Sequence, residues 1–205
     1  GRMTLQGRGL AGDEAGVSLR QWETGWNAPV CTSAGRFLDA VAARLGLCRE
    51  RTYEGEPAMR LEAAAARGTP IRVEVPVRRA EEGWVIDLVP VFRTLSERAG
   101  AEPVERIAAT AQWALAHGAA TAAIAAARER RIESVCLSGG VAVNDAIAVE
   151  VRRAVEQAGL RFLSNEWAPC GDGGVAFGQV VAAGLGWRLS AWPAADAPRD
   201  LGSED

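Results

Sequence analysis

This sequence contains no lysine. All 23 of its Lys and Arg positions are arginine. The absence excludes every mechanism that needs a lysine side chain: a Walker-type phosphate-binding lysine, a Schiff-base lysine and a lysine general base. A compositional bias of the source genome is the simpler cause of the absence, but the chemical exclusion holds whatever the cause. Any chemistry of this chain must therefore use other groups.

Ligands for a structural metal are also scarce. The chain has one histidine, His117, and four cysteines that are widely spaced and form no C-x-x-C pair. This spacing argues against a structural zinc site. Disulfides are disfavoured in the cytoplasm, although spacing alone leaves one open. The cysteines are Cys31, Cys48, Cys136 and Cys170.

Long apolar runs and basic stripes are missing too. No run approaches the ~20 residues that span a membrane, and the N-terminus does not read as a signal peptide. The net charge is −3 and arginines alternate with acids, so we expect no nucleic-acid partner. With 48% hydrophobic and 24% charged residues, the composition is that of an ordinary soluble protein. We expect a cytoplasmic location and no membrane contact.

The first half of the chain is predicted to be mostly helical. Apolar residues at helical spacing predict helices over residues 33–47 and 56–67. The stretches "IRVEV" (71–75) and "WVIDLV" (84–89) predict two strands with a loop between them. Pro103 then opens an Ala-rich helix that reaches about Arg130. Gly118 is a candidate break in this helix, because glycine lowers helix propensity by ~1 kcal/mol.

The second half alternates strands and helices. A strand at 134–137 is followed by a helix, a strand and a helix, at 143–158, 160–164 and 174–184. This order predicts an α/β fold with parallel neighbouring strands.

Both ends of the chain lack periodicity. Residues 1–16 are rich in glycine, and residues 188–205 form a tail of Pro, Ala and Asp. We expect both segments to be flexible, which leaves residues 17–187 as the folded lobe.

Two glycine turns separate the strands of the second half from the helices that follow. The first is Ser138-Gly139-Gly140, with Asn144 on the first turn of its helix, and the second is "PCGDGGVAFGQ", with Asp172 in its middle. A helix N-terminus favours an anion, and glycines let a phosphate or nucleobase approach the backbone. Parallel units bring both turns to one edge of the sheet. Each turn is also explained as a plain tight turn, and Asp172 as a helix N-cap.

Four segments in this order carry a family resemblance. "TSAGRFLDAVAARLGL", "TYEGEPAMRLEAAA", "SGGVAVN" and "DGG…GQ" resemble the C-terminal part of the Kae1-like domain of HypF-type carbamoyltransferases, which mature [NiFe]-hydrogenases. The related enzymes that make threonylcarbamoyl-adenosine in tRNA show a similar glycine turn and first helix. The resemblance extends from about Trp22 to Gly184 and implies an α/β fold. More specifically, it implies a partial lobe of the sugar kinase, chaperone and actin (RNase H-like) superfamily, with a helical insertion.

The same resemblance implies a nucleotide site. Asp39 would contact the ribose hydroxyls, Gly55 and Glu56 would lie beside the sugar, and Asp172 would ligate a metal. The first glycine turn and its asparagine would border ATP or carbamoyl-adenylate. These residues are Ser138, Gly139, Gly140 and Asn144. Purely structural roles are the alternative for two of these residues. Asp39 could be a solvent-facing helix residue, and Glu56 could be a negative charge that stabilises a helix start.

Several parts of the family pattern are missing. No H-x-x-x-H pair and no D-G-T-G segment occurs in this sequence, so a divalent metal (iron, zinc or magnesium) is expected only together with the missing lobe. His117 is expected to be a packed or surface histidine rather than a ligand.

Two interpretations of function follow. In one, the chain is a piece of a carbamoyltransferase that uses ATP and carbamoyl phosphate and delivers the carbamoyl group to the C-terminal cysteine of a HypE-type partner for cyanide synthesis. In the other, it is a noncatalytic nucleotide- or partner-binding fragment, or a piece of an O-carbamoyltransferase. Missing strands would leave a sheet edge exposed, so we also expect self-association as a homodimer.

Overall fold

A computed structural model describes residues 12–185 of the chain, with side chains from Gly16 onward. In this part the helices are α1 (Gly12–Thr24), α2 (Ala34–Arg44), α3 (Glu56–Ala65), α4 (Leu88–Arg98), α5 (Val104–Arg130), α6 (Asp145–Gln157) and α7 (Gly173–Gly184). The strands are β1 (Val77–Ala80), β2 (Gly83–Ile86), β3 (Ser134–Leu137) and β4 (Arg161–Ser164). A 3-10 turn spans Gly140–Val143.

Helix α5 is the centre of the core. It runs for 27 residues without a break, and α2, α3, α4, α6 and the β1–β2 hairpin pack against it. Its alanines let these neighbours approach closely, since Ala108, Ala111 and Ala114 are completely buried. Gly118 does not break the helix. A Cβ atom there would lie 2.6 Å from Ile86 and 3.0 Å from Val75, so this glycine makes room for the hairpin.

The strand predicted at residues 71–75 is wrong. This segment has no strand pairing in the described part of the chain, and the Ile71 amide donates instead to the Thr110 hydroxyl on α5, at 2.9 Å. The observed strand β1 lies in the predicted loop and pairs antiparallel with β2, with Val77 opposite Ile86. Strand β2 ends at Ile86 because Asp87 begins a helix, so the ladder has room for only four residues on each side.

Helix α4 was not predicted. The Asp87 carboxylate accepts a hydrogen bond from the Val89 amide at 3.1 Å, which caps the helix. Val91 and Leu95, one helical turn apart, are buried against the core. The spacing of these two residues is typical of a helix, but the run "WVIDLV" before them has the pattern of a strand.

The second half follows the prediction closely. Strand β3 pairs with β4 in parallel, with Ser134 opposite Arg161 and Leu137 opposite Ser164. Helix α6 connects them and buries Ile147, Val151 and Val155. The predicted α/β fold with parallel neighbouring strands is therefore confirmed.

The ends of the described region are less packed. Helix α1 begins at Gly12, inside the segment 1–16 that was expected to be irregular. Residues 1–11 and the predicted tail 188–205 lie outside the described part. No residue of α7 is buried. None of the described helices is long and apolar enough to cross a membrane.

Candidate functional site

The two glycine turns touch each other at the carboxyl ends of β3 and β4. The Gly139 amide donates to the Cys170 carbonyl oxygen at 2.7 Å, and the Ser138 hydroxyl lies 3.4 Å from the same oxygen. A Cβ atom on Gly171 would come within 3.9 Å of the Gly140 Cα atom. The parallel pairing thus brings both turns to one edge of the sheet, as the sequence predicted.

The two glycines of the first turn have different explanations. Gly139 has a φ of 101°, a conformation that residues with a side chain rarely adopt. Gly140 has no such constraint, and a Cβ atom there would meet no atom within 4 Å among the described residues. The open space beside Gly140 leaves room for a group from outside the described chain.

Asn144 joins the turn to helix α6. Its side chain is 7% exposed, and its Oδ1 atom accepts a hydrogen bond from the Ile147 amide at 3.0 Å, which makes Asn144 the N-cap of α6. The described contacts of Asn144 therefore hold the turn in place, and a direct contact with a nucleotide stays a prediction.

Glu62 on α3 is a residue near this turn that no sequence motif pointed to. Its carboxylate is half-buried. Burial raises the pKa of Glu62, and the nearby Asp145 carboxylate raises it further, while hydrogen bonding from the Asp145 amide and the Asn144 side chain acts in the opposite direction. Two features of the sequence could have pointed to Glu62. It lies in "TYEGEPAMRLEAAA", one of the segments that carry the family resemblance, and it follows the buried Leu61.

Gly55 and Glu56 form the start of α3. Gly55 is the N-cap, with a φ of 80°. The Glu56 side chain is 2% exposed, and its Oε2 atom accepts hydrogen bonds from the Thr52 amide at 2.6 Å and the Thr52 hydroxyl at 3.0 Å. The bond from the Thr52 amide lowers the pKa of Glu56, and Arg60 lies 2.6 Å from its other oxygen. These bonds hold the loop before α3 in place. The predicted position of Glu56 beside the sugar stays a prediction.

Asp39 lies on α2, which packs against the 3-10 turn at Gly140–Val143. Its side chain is half-buried, and no hydrogen bond or ion pair uses its carboxylate among the described residues. The core-facing side of α2 carries Phe37, Leu38 and Val41. The fold therefore brings the helix of Asp39 to the first glycine turn and leaves this carboxylate unused.

Asp172 occupies the N-cap position of α7, but its side chain makes no capping hydrogen bond. It is exposed. The residues that the structure describes contain no group of three or more His, Cys, Asp or Glu side chains that could hold a metal ion. Because a metal site needs several ligands, the described residues do not form one by themselves.

A groove of about 320 Å³ opens at the same edge of the sheet. It lies between α6 and the ends of β3 and β4, and Cys170 of the second glycine turn forms part of its wall. The Arg152 guanidinium stands over the Phe162 ring in this groove, 5.1 Å from the ring centroid. The remaining lining residues are Leu137, Ala142, Asp145, Ala148, Val149, Ser164 and Asn165.

His117 takes no part in the contacts described above. Its ring stacks on Trp113 with the centroids 4.8 Å apart. The Trp113 indole also donates to the Glu150 carboxylate at 3.1 Å, and the Arg72 guanidinium stands 4.4 Å from the indole centroid. His117 is a packed histidine, as predicted.

Comparison with known proteins gives a consistent result. A family model described as "Carbamoyltransferase, Kae1-like Domain, second subdomain" matches residues 5–179. The carbamoyltransferase HypF of Rhodobacter capsulatus is 39% identical over 160 residues, which are 78% of this chain and 20% of the relative. The chain thus spans about a fifth of the length of this relative and of the probable carbamoyltransferase HypF of Methanocaldococcus jannaschii.

Two solved structures resemble the fold. The crystal structure of HypF from T. kodakarensis has a TM-score of 0.72 and 42% identity, covering 82% of this chain and 22% of that protein. A full-length HypF in a phosphate- and nucleotide-bound form has a TM-score of 0.80 and 28% identity, covering 94% of this chain and 25% of that protein. These likenesses confirm the predicted fold class.

Proposed function

The chain belongs to the HypF family of carbamoyltransferases, and we propose that it supplies one wall of the site where such an enzyme holds ATP and carbamoyl-adenylate. The contact between the two glycine turns, through the Gly139 amide and the Cys170 carbonyl, is the observation that carries the proposal. A full-length HypF with phosphate and nucleotide bound has this fold. The activity proposed here is that of a HypF-length enzyme, of which this chain matches about a fifth.

The proposed reaction begins with carbamoyl phosphate, ATP and water. They give carbamoyl-adenylate, pyrophosphate and phosphate. The thiol of a C-terminal cysteine on a HypE-type partner then attacks the carbamoyl carbon, and AMP leaves. The carbamoylated cysteine is the precursor of the cyanide ligand in hydrogenase maturation.

The role of this chain in that reaction is to bind and orient. Open space beside Gly140 admits the adenylate to the backbone of the first turn. The unused carboxylate of Asp39, on the helix that packs against this turn, accepts hydrogen bonds from the ribose hydroxyls. Holding an activated adenylate in a fixed orientation accelerates its transfer without a nucleophile from the chain itself.

A metal, if the complete enzyme uses one, would take most of its ligands from outside the described residues. Asp172 can contribute one carboxylate, since its side chain is exposed and does not cap α7. A divalent ion would act as a Lewis acid on a phosphate oxygen. No step assigned to this chain depends on that ion.

A chimeric enzyme tests the proposed function. The matching segment of the Rhodobacter capsulatus HypF, to which this chain is 39% identical, is replaced by this chain. Pyrophosphate release from ATP is then measured with and without carbamoyl phosphate. We expect release that depends on carbamoyl phosphate, and its loss when Gly139 is changed to valine. Gly16→Ala, in the exposed helix α1, serves as the control and should leave the activity unchanged.

Two outcomes would contradict the proposal. A folded chimera that binds ATP but releases no pyrophosphate would favour the noncatalytic interpretation. Activity that survives Gly139→Val would show that the first glycine turn does not border the nucleotide.

A further inference from the structure

One side of helix α6 lies open along the groove of about 320 Å³ at the edge of the sheet. Four residues of α6 line this groove, at positions i, i+3, i+4 and i+7, and this spacing places them on one face of the helix. The opposite face of α6 is buried in the core. The four lining residues are Asp145, Ala148, Val149 and Arg152.

The two charged residues of this face carry no ion pair among the described residues. The Arg152 guanidinium stands 5.1 Å from the centroid of the Phe162 ring, whereas the guanidinium of the next residue, Arg153, pairs with Glu150 at 2.7 Å. Asp145 and Arg152 are seven residues apart, about 10.5 Å along the axis at about 1.5 Å per residue. Only side chains three or four residues apart are neighbours on a helix surface, so these two charges do not neutralise each other within α6.

The order of charges on this face is self-complementary. A second α6 that runs antiparallel, with a twofold axis between residues 148 and 149, brings Asp145 of each copy opposite Arg152 of the other. A twofold dimer makes every contact twice, because residue i meets residue j and residue j meets residue i. A single match of acid and base therefore gives two ion pairs.

The centre of the same face is apolar. Ala148 and Val149 lie between the two charges, and Val149 is 64% exposed. The small side chain of Ala148 allows a neighbouring helix to approach closely, and contact with that helix removes the apolar surface of Val149 from water. An apolar centre with charged residues at its rim is the usual layout of a protein interface.

We propose that this face of α6 binds a second copy of the chain, with the two α6 helices antiparallel. Ala142 and Cys170, which come from the two glycine turns, line the same groove, so the second copy lies beside the candidate site. The dimer needs no nucleotide and is independent of the proposed function. One helix face per copy is smaller than a standard interface, and we expect a dissociation constant of about 10–100 μM.

Charge reversal in the 205-residue chain tests this arrangement. In a dimer of Asp145→Arg both contacts join two basic side chains, and in a dimer of Arg152→Asp both join two acidic ones. An equal mixture of the two variants forms a heterodimer in which both contacts again join an acid to a base. Glu97→Arg and Arg78→Asp make the same changes of charge at exposed residues of α4 and β1 and are the matched controls.

Sedimentation equilibrium measures the dissociation constant of each form and of the mixture, and circular dichroism checks that each form is folded. We expect each reversal on α6 to weaken the dimer at least tenfold, because like charges placed opposite each other in an interface repel. The mixture should return to within about threefold of the wild type, since only the ion pairs are exchanged. Both controls should match the wild type, and added salt should weaken the wild-type dimer.

Several results would overturn the proposal. The wild type could stay monomeric at the highest concentration, or the mixture could remain as weak as its two components. A dimer that survives Arg152→Asp but dissociates in Phe177→Asp would place the contact on α7 instead. Arg152 is exposed in the middle of α6, so Arg152→Asp decides by itself if Asp145→Arg does not fold. Association of Arg152→Asp equal to that of Arg78→Asp would then contradict the dimer, and its loss in Arg152→Asp alone would support it.

Discussion

Helix α6 buries Ile147, Val151 and Val155 against the core, whereas α7, which follows the second glycine turn, buries no residue. Both helices follow a parallel strand and a glycine turn. The first turn is held by the Asn144 cap of α6. The second turn carries Asp172 at the N-cap position, where its side chain caps nothing.

The difference shows which part of the site this chain builds for itself. The first unit, β3 with its turn and α6, is fixed by contacts within the described residues. The second unit, β4 with its turn and α7, exposes Val175, Phe177 and Val180 at 60%, 52% and 70%. Exposed apolar side chains of this size can form part of an interface. The homodimer expected from the sequence is one way to cover it, and the remaining four-fifths of a HypF-length protein is another.

Truncating one apolar side chain in each unit should give the largest difference in the free energy of unfolding between the two units. Ile147→Ala removes a completely packed side chain and should lower the free energy of unfolding by about 2–5 kcal/mol. Phe177→Ala, on the exposed helix, should change it by less than about 0.5 kcal/mol. Urea unfolding of dilute protein measures both. Equal losses would mean that α7 packs against the core in solution.

Removing the polar residue at the start of each helix should also destabilise the first unit more than the second, but with a smaller difference in the free energy of unfolding. Asn144→Ala deletes the cap of α6 and should cost about 1 kcal/mol. Asp172→Ala should cost no more than a few tenths of that, because no capping bond is lost. The same urea titrations test this, with Ser33→Ala as a control, since Ser33 also stands at an N-cap without a capping bond. A larger cost for Asp172 than for Asn144 would contradict the comparison.

The two glutamates of α3 should give the smallest effects, and in opposite directions. The pKa of Glu62 is raised, so its contribution to stability is complete below the unfolded value, about 4.3, and is lost as the pH rises through the folded value. The pKa of Glu56 is lowered, so its contribution is present above the unfolded value and is lost as the pH falls through the folded value.

The pH dependence of unfolding separates these two residues. Between neutral pH and about 4.3, Glu62→Gln should lose stability more steeply than the wild type as acid is added. Below that pH, Glu56→Gln should lose stability less steeply than the wild type. Curves for both variants that run parallel to the wild type would show that neither carboxylate is perturbed.

Local signals explain what the sequence could predict. The strand at Ser134–Leu137 was predicted to the residue, and the helix at Ala34–Arg44 was predicted over 33–47, within three residues at each end, because caps, glycines and periodicity lie within the segment itself. The meeting of the two glycine turns also followed from the parallel order of the strands.

Longer-range contacts explain what was missed. The alternating segment 71–75 reads as a strand, but its Ile71 amide is taken by Thr110, 39 residues away. Glu62 reads as an ordinary helix residue, since Asp145, whose carboxylate raises its pKa, is 83 residues away in the sequence. Likewise, Glu56 could be placed at a helix start from the sequence, but its burial and its bonds to Thr52 depend on the folded loop.

Titration of the 205-residue chain with ATP tests the central claim most directly, because it asks whether the well-held first unit and the helix of Asp39 bind a nucleotide. We predict a dissociation constant of about 0.1–1 mM, the modest affinity of a half-site. Two hydrogen bonds from ribose to a carboxylate contribute about 1.5–3 kcal/mol each, so Asp39→Ala should bind at least tenfold more weakly with an unchanged melting temperature. Glu97→Ala, an exposed residue of α4, is the control. Equal binding by the wild type and Asp39→Ala, or no binding at millimolar ATP, would contradict the account.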